Sequence, residues 1–252
     1  VMISHNISAR PYGLAIDGDG HMWVASRDPA GRLVEVHPDD GELYATTHPS
    51  GQGYGIAVDP LGKVWMASGE PSTVARFDPV TSQWTNFNLS APGYTRGVAV
   101  RRVDDNNGNL IGAQVFVAHH SWTGCNNNGH HRKVTVIDAL SLQELPDIDI
   151  GADRAPVGVA VDSLGFLWTV NQCHSSATKI NPDTYEVVGT YPVGSSPYTY
   201  SDMTGYALKT ITTSQGFYTE IYNGWAGSQT LWHQILVDVD LPGDGLTWIT
   251  LE

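Results

Sequence analysis

Short apolar runs that alternate at period two, each closed by Gly, Pro, Asn or Asp, fill the chain and predict strands rather than helices. The runs recur in a fixed order. Pro11-Tyr12-Gly13-Leu14-Ala15-Ile16-Asp17 returns as Gly53-Tyr54-Gly55-Ile56-Ala57-Val58-Asp59, as Thr95-Arg96-Gly97-Val98-Ala99-Val100 and as Pro156-Val157-Gly158-Val159-Ala160-Val161-Asp162. A second strand follows each, marked by an aromatic: Trp23-Val24-Ala25-Ser26, Trp65-Met66-Ala67-Ser68, Phe116-Val117-Ala118-His119 and Trp168-Thr169-Val170-Asn171. A third runs into a hairpin turn, as in Arg76-Phe77-Asp78-Pro79 and Lys179-Ile180-Asn181-Pro182. A fourth closes the unit, as in Gln83-Trp84-Thr85-Asn86-Phe87.

Gly13, Gly55 and Gly97 are spaced at 42 residues, the period of a propeller blade of four short strands. From Gly97 to Gly158 the interval is 61. The aromatic markers divide that excess, since Trp65 to Phe116 is 51 residues and Phe116 to Trp168 is 52. Extra residues are therefore expected as a polar loop at Asp104-Asp105-Asn106-Asn107-Gly108-Asn109, and again after the second strand at Ser121 to Arg132. A lone four-stranded sheet cannot cover both its faces, whereas neighbouring blades cover each other. The prediction is an all-β fold: a β-propeller of four-stranded antiparallel blades, at least four of them clear. The Gly of each innermost strand allows close approach at the crowded axis, and the second-strand aromatic plugs the space between blades.

The blades are predicted over 9–50, 51–92, 93–151 and 152–194 of a propeller spanning 1–194. Residues 1–8 read as the outermost strand of a preceding blade, so the natural chain is expected to begin upstream. Where a fifth Pro-x-Gly strand is due, the sequence instead reads Pro197-Tyr198-Thr199-Tyr200-Ser201. Strand-like runs continue at 207–213, 217–222, 231–240 and 246–251. The β-rich segment 195–252 is either a degenerate closing blade or the start of a β-sandwich module whose edge strands would need a partner.

Thirteen Lys+Arg against 26 Asp+Glu leave a net charge of −13, which argues against nucleic acid and anionic membrane surfaces as partners. No apolar run approaches the roughly 18 residues of a membrane-spanning helix.

The unit PYGLAID…GHMWVAS…GRLVEVHP resembles the repeats of the virginiamycin B lyase (streptogramin lyase) family and of NHL-type propellers. The resemblance covers roughly 1–194 and implies a ring of six or seven blades. It also implies an activity: opening of a cyclic depsipeptide ester by C–O elimination, with a His general base and acidic residues holding Mg2+. His119 is the candidate base at the matching position. The repeats of that family often carry Glu after the aromatic triplet, where this chain has Ser26, Ser68 and Asn171; Glu70 lies two residues further on.

In a propeller the second-to-third-strand loops share a face with the loops between blades. The Ser121–Arg132 segment and the Cys173-His174 loop are both of this kind, on adjacent blades. Cys125 and Cys173 are thereby placed for a disulfide, with two free thiols as the alternative. His119, His120, His130, His131 and His174 crowd the same face, and His119 should face the mouth of the central channel. Their spacing fits no zinc motif, so no metal site is predicted. Arg10, Arg96 and Arg154 precede innermost strands and could hold an anion such as a carboxylate, with ordinary loop ion pairs as the alternative. Trp122, in an inserted polar loop, is either a contact anchor or packed beneath that loop. Asp17-Gly18-Asp19-Gly20 superficially suggests calcium but reads as a hairpin turn.

The function expected is that of a non-catalytic, exported propeller module used for binding or assembly, part of a larger bacterial surface or secreted protein. Its signal sequence would lie outside this chain. A protein or small-molecule ligand would bind at the inserted-loop face, with self-association through the C-terminal strands as a further expectation. No cofactor is predicted. Two alternatives stay open: a lyase of the streptogramin type, which would need Mg2+, and a structural repeat of a surface layer or filament.

Overall fold

The computed structural model describes residues 7, 9–28, 31–38, 40–69, 72–120, 125 and 132–199. All belong to the first of two compact units, Val1–Gln215; the second, Gly216–Glu252, lies outside the described residues. So do the strand expected over 1–8 (apart from Ile7), Glu70, Trp122, His130, His131 and the strand-like runs beyond residue 206.

The described residues form four antiparallel sheets of four strands, each in simple sequence order. Blade 1 holds β1 (Pro11–Ile16), β2 (Met22–Ser26), β3 (Arg32–Val36) and β4 (Leu43–Thr47). Blade 2 holds β5 (Ile56–Val58), β6 (Val64–Ala67), β7 (Thr73–Asp78) and β8 (Gln83–Asn88). Blade 3 holds β9 (Tyr94–Asp104), β10 (Leu110–His120), β11 (Lys133–Asp138) and β12 (Gln143–Asp149). Blade 4 holds β13 (Pro156–Val161), β14 (Leu167–Asn171), β15 (Ser176–Ile180) and β16 (Val187–Pro192), with one 3-10 turn at Gln172–His174. Among the described residues no helix is long and apolar enough to cross a membrane.

The repeated Asp and Trp build one local device. Asp17 Oδ1 accepts the backbone N–H groups of Asp19 and His21 at 3.0 and 2.9 Å, which shapes the β1–β2 turn, while Oδ2 accepts Trp23 Nε1–H at 2.8 Å. Asp59 treats Leu61, Lys63 and Trp65 in the same way. Asp162 does so with Leu164, Phe166 and Trp168. The Asp17-Gly18-Asp19-Gly20 run is thus a hairpin turn.

Blade 3 departs from the rule because the Phe116 ring, unlike an indole, has no N–H to offer. The expected polar loop is the turn over 105–109, and the rest of the insertion lengthens β9 and β10 to 11 residues each. The turn-shaping carboxylate moves out to Asp105, which accepts from the Asn107 and Asn109 amides. Arg101, Arg102 and Gln114 on this extension are partly solvated, so its composition looks like that of a loop although its backbone is paired.

The second-strand aromatics plug the gaps between blades. Trp23 is buried with Ile56, Val58 and Met66 of blade 2, and Trp65 with Val98, Val115 and Val117 of blade 3. Phe116 is buried with Val159, Val161 and Leu167 of blade 4. At the innermost strands the backbones nearly touch: a Cβ on Gly55 would lie 2.2 Å from the Arg96 carbonyl oxygen. Only glycine permits that approach.

Candidate functional site at the channel mouth

The innermost strands begin beside the ends of the second strands. Pro11 pairs with Ser26 and Pro156 with Asn171 in register, and Gly53 N–H donates to the Ser26 carbonyl at 2.9 Å. Loops between blades and loops leaving the second strands therefore share one face. The residue before the innermost-strand glycine is Tyr12, Tyr54, Arg96 and Val157 in blades 1 to 4. Tyr198 continues the series, because Thr199 takes the next place: a Cβ on Gly158 would fall 2.0 Å from Thr199 Oγ1.

These side chains converge. The Tyr12 hydroxyl donates to that of Tyr54 at 2.8 Å, and so accepts from Tyr198 at 2.6 Å. The Arg96 guanidinium lies 4.3 Å from the centre of the Tyr54 ring and 5.2 Å from that of Tyr94. Arg27 lies 5.1 Å from the Tyr12 ring centre and 5.7 Å from that of Tyr54. Burial pushes the Tyr54 hydroxyl far above its usual range, with the Arg96 charge pulling the other way, so it remains a neutral hydrogen-bonding group.

The charges at this cluster are unbalanced. Arg10, Arg76, Arg101, Arg102 and Arg132 each lie within ion-pair distance of a carboxylate. Among the described residues Arg27 and Arg96 have none, and the Arg96 Nε is buried without a hydrogen-bond partner. A guanidinium fork has the geometry to meet a carboxylate or phosphate edge.

The other predicted residues divide between two places. Cys125 and Cys173 form a disulfide with Cα atoms 5.1 Å apart. Beside it, His120 Nε2 and Gln172 Oε1 lie 3.0 Å apart and tie blade 3 to blade 4. Arg154 Nη1 donates to His174 Nδ1 at 2.5 Å. Arg10 adjoins the channel-mouth cluster through its backbone, its carbonyl accepting the Arg27 N–H at 3.0 Å, while its own amide donates to Asp28 Oδ2 at 3.2 Å.

His119, expected at the channel mouth, is instead fully buried, and its Nε2 lies 2.9 Å from Thr135 Oγ1 on β11. Thr135 in turn donates to Asp147 at 2.7 Å. Burial pushes the His119 imidazole down to about 4 against the pull of Asp147. The matching positions in the other blades do similar work. Ser26 donates to Asp28, Ser68 to the Thr73 carbonyl, and Asn171 to Ser176 and Thr178. This position is a buried polar latch near the end of the second strand, which explains why its alignment was readable while its direction was not.

No protein-family model matches the chain, and no curated protein matches it in sequence. Its fold is shared with solved propellers. A catalytically inactive virginiamycin B lyase from Staphylococcus aureus, solved with quinupristin, aligns over 76% of this chain and 58% of its own, at 13% identity and a TM-score of 0.58. Hydrazine synthase of Kuenenia stuttgartiensis aligns over 76% of this chain and 51% of its own, at 14% identity and a TM-score of 0.58. The Neurospora crassa Pan2 WD40 domain aligns over 75% of this chain and 52% of its own, at 11% identity and a TM-score of 0.56. The chain thus spans little more than half of each. At such identities the likeness concerns the fold alone, and these three proteins have unrelated names.

Proposed function

We propose that this chain is a non-catalytic β-propeller binding module whose channel mouth takes a ligand bearing an anionic group next to a planar or apolar part. One observation carries this reading: Arg27 and Arg96 converge on the Tyr54 ring with no carboxylate partner among the described residues, in a chain of net charge −13. Acidic side chains are plentiful elsewhere, and leaving this pair open to an outside anion is what binding requires. The accessible rings of Tyr12 and Tyr198 supply an apolar wall over the buried Tyr54, and their linked hydroxyls supply an edge of hydrogen-bonding groups. The disulfide supports action in an oxidising compartment, outside the cytoplasm.

Ligand-observed NMR with paired aromatic fragments tests the reading, benzoate and phenylacetate against their uncharged amides. The carboxylates should bind and the amides should not, and Arg96→Gln should release the carboxylates. Equal binding of acid and amide, or binding indifferent to Arg96→Gln, would overturn it.

A further inference from the structure

At the end of blade 1 remote from the channel mouth, a second cluster is formed by Glu35 of β3 and the residues that flank β2 and β3, His21 and His37. Ile16 pairs with Met22 and Met22 with Val36, so these ends of β1, β2 and β3 lie together. His21 and His37 sit one step beyond that last pair and face each other, their rings stacked with centres 4.3 Å apart. Glu35 lies two residues from His37 and so on the same side of the strand. Its Oε1 is 2.8 Å from His21 Nδ1 and 3.9 Å from His37 Nε2. One donor atom from each of the three residues lies within 4.8 Å of the others.

The repeat supplies an internal comparison. In blade 2 the same three positions are Lys63, Arg76 and Asp78, and two fixed cations face two carboxylates. Lys63 lies 2.7 Å from Asp78, and Arg76 lies 3.7 Å from Asp59. In blade 4 they are Phe166, Lys179 and Asn181, with the Lys179 ammonium 3.8 Å from the Phe166 ring centre. Blade 1 keeps the turn carboxylate, Asp17, and adds a second, Glu35. Among the described residues no Lys or Arg lies within ion-pair distance of either; the neighbours are the two imidazoles. Where blade 2 has the fixed cations Lys63 and Arg76, blade 1 has the nitrogen donor His21 and the oxygen donor Glu35, and His37 stands in the place of Asp78.

We infer that His21, Glu35 and His37 form a binding site for Zn2+. Two imidazole nitrogens and one carboxylate oxygen are a donor set this ion favours, and they leave a fourth position open. The ion would take the place of the proton between His21 Nδ1 and Glu35 Oε1. Tetrahedral bonds to Zn2+ set neighbouring donors about 3.4 Å apart, so one separation must widen by roughly 0.6 Å and the other close by roughly 0.5 Å. Side-chain rotation reaches both, since the His37 side chain is 44% exposed. Asp17 stays outside the donor set. Its oxygens already hold the turn and Trp23, and it lies 3.4 Å from His21 Nδ1, where it orients that ring.

Calorimetric titration of the metal-free full chain with ZnCl2 tests the assignment, with circular dichroism to confirm that each variant is folded. The tightest-bound Zn2+ should weaken by more than about tenfold in His21→Gln and in His37→Gln. It should be unchanged in His174→Gln, on the opposite face. Co2+ bound in its place should show the visible absorption of a four-coordinate site, and His37→Gln should remove it. Glu35→Gln, which keeps the side-chain shape, is the second variant should either His change perturb folding, and it should weaken Zn2+ similarly. Absence of Zn2+ binding, unchanged affinity in the folded His37→Gln or Glu35→Gln chain, or loss in His174→Gln instead would each overturn the site. None of these results depends on the anion reading of the channel mouth.

Discussion

The Asp59 carboxylate is wholly buried and accepts the Trp65 indole N–H at 2.8 Å, with the Arg76 Nε 3.7 Å away. The same oxygen pattern closes the β5–β6 turn, so one side chain fixes a turn, orients the plug between blades 2 and 3 and anchors a cation. Asp59→Ala leaves the indole N–H, two turn amides and a partly buried guanidinium short of partners. The expected loss is on the order of 3 kcal/mol, read from urea unfolding. Asp59→Asn keeps one acceptor oxygen and should cost less. Equal stabilities for Asp59→Ala and the parent would show that the signature Asp has no such role.

The two blades bearing the disulfide are tied across a loop whose ends are 48 residues apart in sequence. Closing a loop of that length restricts the unfolded chain by about 4 kcal/mol on the chain-entropy model. The double variant Cys125→Ser, Cys173→Ser should lower the urea midpoint accordingly, and reductant should lower the parent to the same value. Alkylation of the native chain should require prior reduction. Ready alkylation without it would return the protein to a reducing compartment.

Close approach at the axis predicts a contrast between two glycines. A Cβ on Gly55 would meet the Arg96 carbonyl, the Gly97 Cα and the Val98 nitrogen, all within 2.8 Å, and these are backbone atoms that cannot turn aside. Gly55→Ala should therefore force blades 2 and 3 apart and cost more than about 2 kcal/mol. Gly62 has a φ of +72° but open space around it, so Gly62→Ala should cost about 1 kcal/mol from backbone strain alone. The two melting temperatures decide it, and a smaller drop for Gly55→Ala would contradict the packing.

The propeller was legible because its repeat spells out physical devices: a glycine for close approach, an Asp for the turn, an aromatic for the gap. The channel mouth was less so. Arg96 drew attention as a cation ahead of an innermost strand, whereas Tyr12, Tyr54 and Arg27 passed as ordinary members of the repeat. A signal was present, since the position before the strand glycine reads Tyr, Tyr, Arg, Val while the glycine itself and the apolar residues after it hardly vary. His21, Glu35 and His37 were missed for a different reason. They become neighbours only through the pairing of β2 with β3, and no motif spacing along the chain announces it. The turn at 105–109 was legible from its Asn and Gly, whereas the lengthening of β9 and β10 was not, because a solvated hairpin needs no apolar face.

Two buried histidines give stability a defined pH dependence. His48 Nδ1 accepts the Ser50 amide N–H at 3.0 Å, so its proton is on Nε2, 3.1 Å from the Met66 carbonyl. Protonating Nδ1 would set two donors against each other. Burial pushes His48 down to about 4, with the Met66 carbonyl pulling the other way, and burial does the same to His119. An unfolded histidine takes its proton near pH 6.5. Between that value and about 4 the unfolded state therefore binds protons that the folded state refuses. Stability is fully present above about pH 6.5 and falls as pH drops toward 4, by on the order of 3 kcal/mol for each histidine. Urea unfolding at steps across that window should show the slope, and His48→Gln should flatten it by about half of the two-histidine share, whatever its effect on stability at neutral pH. An unchanged slope in His48→Gln would mean that its imidazole is solvated and already protonated in the folded chain.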